Sequence, residues 1–130
     1  MSRRFLLAYF DGIEQQLLNL PNHYIEQFSA TILTRERGSL KLRIRFRRKY
    51  LLAVSEALLV IEGQVTQIDY RYHFQDEKNQ IIFRYDSTPH FPDLATFPHH
   101  KHLPDVVITA DKPALSQVFQ EASTLAEAKG

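Results

Sequence analysis

The chain contains no cysteine, so neither a disulfide framework nor a thiolate metal site is open to it, and a reducing cytoplasm is the expected address. No apolar run approaches the roughly 18 residues of a membrane-spanning helix. Met1 to Leu20 carries Asp11 and Glu14 where a secretory signal would need an unbroken apolar stretch. Internal repeats, linkers and low-complexity tracts are also missing. There remains a chain of 130 residues, 44% hydrophobic and 24% charged. That is ordinary globular composition, and one domain spanning residues 1–130 is expected, burying about two-thirds of the surface of the unfolded chain.

The net charge of +1 hides an asymmetry. Residues 1–50 hold ten Lys/Arg against four Asp/Glu, a balance of +6, and residues 51–130 hold six against eleven, a balance of −5. Such a split marks either an anionic partner for the basic part or opposed charges that meet across the fold.

Leu6, Phe10, Ile13 and Leu17 recur at helical spacing, widened by Leu7 and Leu18, and predict an amphipathic helix ending before Leu20, with Gly12 a weak point in its middle. From Tyr24 the period becomes two. Ile32 and Thr34 lead to an expected turn at Gly38-Ser39. Leu40, Leu42, Ile44 and Phe46 then face one way, while Lys41, Arg43, Arg45 and Arg47 give the strand a wholly basic outer face. Arg47-Arg48-Lys49 reads as a turn into a third strand at Tyr50–Val54, followed by an apolar stretch from Ala57 to Ile61.

Ile68, Tyr70, Tyr72 and Phe74, and then Ile81, Phe83 and Tyr85, describe a hairpin. A four-residue loop at 76–79 makes paired residue numbers sum to 155. Arg71 then opposes Arg84, with His73 diagonal to it, and Asp69 opposes Asp86. Like charges across a strand pair call for an anion or for neutralisation by those carboxylates. Residues 87–105 hold four of the six prolines and four of the six histidines, which predicts a long structured loop. Asp111 to Pro113 open a last helix with Leu115, Val118, Phe119, Ala122 and Leu125 facing the core. The fold class expected is α+β: a curved antiparallel β-sheet with an N-terminal and a C-terminal helix packed on one face.

The chemistry-bearing residues concentrate between Tyr70 and His102. Imidazoles beside permanent cations can cleave RNA without metal or cofactor: one base withdraws the 2′-hydroxyl proton, an acid protonates the leaving oxygen, and cations stabilise the phosphorane. His73, Arg84, His90, His99, His100 and His102 are the candidate catalytic residues, with most weight on Arg84, His99 and His102. Arg43, Arg45, Arg71, Tyr72, Tyr85 and Lys101 are the candidate nucleic-acid contacts. A competing reading gives His99, His100 and His102, with His73 or His90, to zinc, but no HExxH pattern or acidic ligand at a recognised spacing accompanies them. Structural readings stand beside both: a solvated basic strand face, and a polar loop covering the sheet. His23 carries no assigned role.

The runs Tyr70-Arg71-Tyr72-His73-Phe74-Gln75-Asp76, Phe83-Arg84-Tyr85-Asp86-Ser87-Thr88-Pro89-His90 and Thr96-Phe97-Pro98-His99-His100-Lys101-His102 resemble the TumE-type family of small toxins from bacterial type II toxin–antitoxin systems. The resemblance covers about residues 24–122. The family commonly has Asn where Ser87 stands and His where Phe91 stands, a departure that would redistribute work among the remaining histidines. The resemblance implies a growth-inhibiting, RNA-targeting toxin encoded beside a small DNA-binding antitoxin that neutralises it by direct binding. A metal-independent endoribonuclease is the expected function, the alternatives being a non-catalytic nucleic-acid or protein-binding module and a metal-dependent nuclease. An exposed strand edge would also permit a homodimer.

Overall fold

A computed structural model describes residues 2–89 and 91–129. Helix α1 (Ser2–Leu18) is followed by strands β1 (His23–Ile32), β2 (Arg37–Phe46), β3 (Tyr50–Ile61), β4 (Gln64–Gln75), β5 (Ile81–Asp86), β6 (His100–His102) and β7 (Val107–Thr109), then helix α2 (Leu115–Lys129). The strands form one antiparallel sheet in sequence order, open at β1 and β7. The protein is α+β, with both helices on one face of the sheet, as the alternation and helical periodicities predict. Among the described residues, no helix is long and apolar enough to cross a membrane.

Leu6, Phe10, Ile13 and Leu17 of α1 and Leu115, Val118, Phe119, Ala122 and Ala126 of α2 are buried against the even-numbered residues of β2, β3 and β4 together with Phe83 of β5. Phe74 is the hub of this layer, its ring 6.1 Å from that of Phe46, 5.9 Å from Tyr50 and 5.3 Å from Phe83. Glu56 occupies a core-facing position of β3 and is buried with the hydrocarbon. Its carboxylate accepts the hydroxyls of Tyr9, at 2.5 Å, and Tyr72. Burial raises the Glu56 pKa and the two hydroxyls act against it, so the buried acid is a satisfied group rather than an orphan.

Several local expectations are corrected. The turn between β1 and β2 falls at residues 33–36, where Leu33 N–H donates to the Arg37 carbonyl at 2.9 Å and Arg37 N–H to Thr34 Oγ1 at 3.1 Å. Gly38-Ser39 therefore lies inside β2. Gly38 is needed for space: a Cβ there would meet Leu6 Cδ2 at 3.2 Å and the Thr31 carbonyl at 3.1 Å. The two apolar stretches after Tyr50 are a single strand, paired along its length with β2 on one side and β4 on the other, after a tight turn in which Arg47 and Arg48 have φ 52° and 61°.

The β4–β5 register differs by two from the expected one: Arg71 pairs with Asp86, Tyr72 with Tyr85, His73 with Arg84 and Phe74 with Phe83. Two local features cause this. The connection has five residues rather than four, closed by Asp76 N–H to the Gln80 carbonyl at 2.9 Å, with Asp76 Oδ1 accepting the amides of Lys78 and Gln80 at 2.9 and 3.0 Å. A bulge between Phe74 and Gln75 adds the remaining step. The opposition of Arg71 to Arg84 and that of Asp69 to Asp86 both disappear. Part of the expected long loop is also strand, since His100–His102 pair with Arg84–Asp86 as β6.

Candidate functional site

The alternation of β6 sends Lys101 to one side of the sheet and His100 and His102 to the other. Lys101 lies on the helix side: its Nζ donates to Glu121 of α2 at 2.6 Å and sits 4.7 Å from the centre of the Tyr85 ring. Burial works against the charge of Lys101, but Glu121 and Tyr85 outweigh it and hold the pKa above the ordinary value. Tyr85 donates to Glu121 at 2.6 Å, and Tyr72 is 1% exposed within the core. Of the residues expected at a nucleic-acid interface, Tyr72 thus contacts Glu56, and Tyr85 and Lys101 contact Glu121 of α2. His99 also parts from its neighbours. Its Nδ1 lies 2.9 Å from the Tyr70 hydroxyl and its ring stacks on that of Tyr70, a core-lining residue.

The opposite face gathers the other candidates in two cross-strand rows. One runs Lys41, Ser55, Arg71, Asp86, His100; the other runs Arg43, Ala53, His73, Arg84, His102. The basic strand β2 thus shares the sheet and the face of Arg71 and Arg84. Its charge is partly spent locally, because a bulge in β1 at Glu26 brings that carboxylate 3.7 Å from Arg43 and 3.0 Å from Arg45. Lys41 donates to Ser55 at 2.6 Å. Among the described residues, no carboxylate lies within ion-pair distance of Arg71 or Arg84. These two guanidiniums and Lys41 are cations of the face without a carboxylate partner among the described residues, and a groove lined by Lys41, Ser55, Asp69, Arg71 and Thr88 lies beside them.

His73 holds Arg84 rather than standing free. Arg84 Nε–H donates to His73 Nδ1 at 3.1 Å, which leaves the imidazole proton on Nε2, 3.1 Å from the Gln75 side-chain oxygen. Burial and the charge of Arg84 lower the His73 pKa. A depressed pKa means that the unfolded chain binds this proton more readily. The contribution of His73 is thus fully present above the unfolded value of about 6.5 and is lost as pH falls through the folded one. Chemical denaturation at pH 7.5 and pH 5 should accordingly show a steeper loss of midpoint for the parent than for His73→Gln. Equal losses would remove the assigned proton state.

Next to Arg84, His100 and Asp86 are buried at 1% and 3% exposure although they lie on the face away from the helices. Phe91, from the Pro-rich segment, covers them, its ring centre 5.0 Å from His100 and 5.9 Å from His102. His100 Nε2 lies 2.8 Å from Asp86 Oδ1 and 3.0 Å from His102 Nε2, and His102 Nε2 lies 3.6 Å from Asp86 Oδ2. Burial lowers the His102 pKa, opposed by Asp86 and reinforced by His100, Arg84 and Arg71. His90 lies outside the described residues. Asp86 is the member of this cluster that residue-type reasoning did not count as functional. Its signal was present in the alternation that puts Arg84 and Asp86 on one face of β5.

The arrangement is a buried carboxylate–imidazole cluster opening onto two guanidiniums that have no carboxylate partner among the described residues. No curated protein and no solved structure matches the chain. A family model described as Toxin TumE matches residues 13–127, which takes in the outer-face rows and the Pro-rich segment that covers them. The chain therefore belongs to the TumE toxin family, and is the toxin component of a toxin–antitoxin system.

Proposed function

We propose that this toxin is an endoribonuclease whose site is the outer face of the sheet around Arg84, with RNA as its substrate. The observation that carries this reading is the position of Arg71 and Arg84, cations without a carboxylate partner among the described residues, next to the cluster of Asp86, His100 and His102. An RNA phosphate between the guanidiniums would have its developing negative charge held by charge-assisted hydrogen bonds. The 2′-oxygen attacks phosphorus, its proton passes to the imidazole–carboxylate cluster, the bond to the 5′-oxygen breaks, and an acid of the cluster returns a proton to that oxygen. His102 is half-exposed while His100 is sealed, so His102 is the imidazole placed to meet substrate. His99 and Lys101 take no part in this reading.

The antitoxin is proposed to be a small DNA-binding protein that neutralises by direct contact. The free edge of β1, where Tyr24 and Ile25 are exposed, is where the antitoxin or a second copy would add a strand. The test is incubation of purified toxin with structured RNA. Fragments ending in a 2′,3′-cyclic phosphate are expected, with loss of cleavage in His102→Ala. A folded toxin that binds RNA and leaves it intact would make this a binding module instead.

A further inference from the structure

The outer-face cluster has one proton too few for its contacts. The carbonyl of Pro98 can only accept, so His100 Nδ1, 3.0 Å away, carries a proton that it donates there. That leaves a lone pair on His100 Nε2, and it points at two groups: Asp86 Oδ1 at 2.8 Å and His102 Nε2 at 3.0 Å. His102 can satisfy one of these contacts as a donor. The other, between an imidazole lone pair and a carboxylate oxygen, is left without a hydrogen. Either a second proton enters this sealed site or a cation sits among the three residues.

The geometry points to a divalent transition-metal site formed by Asp86, His100 and His102. The three ligand-type atoms lie within 4.8 Å of one another. Zinc bound by nitrogen and oxygen at about 2.0–2.2 Å holds neighbouring tetrahedral donors about 3.3 Å apart; the two imidazole nitrogens are 3.0 Å apart, and the carboxylate approaches one through Oδ1 at 2.8 Å and the other through Oδ2 at 3.6 Å. The supporting contacts are those that metal ligands require. Pro98 fixes the tautomer and orientation of His100, and the Thr88 amide donates to Asp86 Oδ1 at 3.1 Å. The Phe91 ring forms an apolar wall against both imidazoles.

Two imidazoles and one carboxylate select zinc, cobalt or nickel over magnesium or calcium, which prefer all-oxygen shells. Three protein ligands also leave a fourth position, the pattern of catalytic rather than structural zinc. The site rests on the same cluster as the nuclease reading, where a metal's open fourth position would supply the base in place of the free His102 imidazole, and metal binding is measurable without RNA. Sequence reasoning considered His99, His100 and His102 as ligands; strand alternation removes His99, and the β5–β6 pairing supplies Asp86 in its place.

The experiment is titration of tag-free, chelator-treated full-length chain with Co²⁺, read by visible absorption, followed by displacement with Zn²⁺. One equivalent per chain is expected, with bands that zinc abolishes. His102→Ala, at a side chain 24% exposed, should weaken binding by about 100-fold or more while the protein stays folded by circular dichroism, since even supporting contacts are worth 10- to 100-fold. His99→Ala should bind as the parent does. Absence of saturable binding by the folded parent, or parent-like affinity in His102→Ala, would overturn the site. RNA cleavage by the same samples is scored separately, so loss of the nuclease reading and loss of the metal site are distinct outcomes.

Discussion

Arg84→Ala is expected to slow RNA cleavage by about 100- to 1,000-fold, the cost of deleting one preorganised donor to a developing oxyanion. The effect should appear as lost growth arrest when the toxin is expressed without its antitoxin, and as a lower cleavage rate in purified protein. The fold should survive. Arg84 is half-buried on the outer face and donates to His73 at 3.1 Å, but it is not part of the hydrophobic core. Arg84→Lys keeps the charge but gives up the planar fork, and should recover only part of the loss. Lys101→Ala is the informative companion. Lys101 is turned toward α2 and paired with Glu121, so cleavage close to the parent rate is expected from it. The reverse result, with Lys101→Ala inactive and Arg84→Ala active, would return the site to the Pro-rich segment as a whole and remove the outer-face assignment.

What could be read in the sequence divides along a physical line. Strictly alternating segments declare their faces by themselves, which is why Leu40 to Phe46 and Tyr70 to Phe74 fall on the core side as expected. The helical stripes of α1 and α2 are legible for the same reason. What a strand faces across the sheet is a different question, because it depends on turn length and bulges. One additional loop residue and the bulge after Phe74 move Arg71 from Arg84 to Asp86. The site depended on that step: residue types alone drew attention to His99, His100 and His102 as a run, whereas three residues of strand are enough to separate His99 and Lys101 from His100 and His102. A strand that short, made of His and Lys and flanked by prolines, has no hydrophobic pattern of its own. It is defined by its partner β5, so only the paired structure reveals it. The same holds for Glu26, whose bulge sets it against two arginines that looked unopposed in sequence.

Phe74→Ala is expected to cost about 3–5 kcal/mol, the range for removing a large aromatic side chain from a packed core. Phe74 is fully buried and its ring lies within about 6 Å of three other aromatic rings, those of Phe46, Tyr50 and Phe83. The small side chain would lose all three contacts and leave a void between the sheet and the helices. Against a total stability of about 5–15 kcal/mol for a domain of this kind, that loss is large enough to lower the denaturation midpoint sharply. It also reaches the site, because Phe74 pairs with Phe83 while the adjacent pair, His73 and Arg84, faces the other way. Loosening this strand pair loosens the guanidinium that the outer face presents, so activity should fall further than the fraction of unfolded protein accounts for. Phe74→Leu, which keeps most of the volume, should restore much of both. A Phe74→Ala protein with an unfolding free energy within about 1 kcal/mol of the parent would show that the aromatic cluster is not the keystone of the β4–β5 pair.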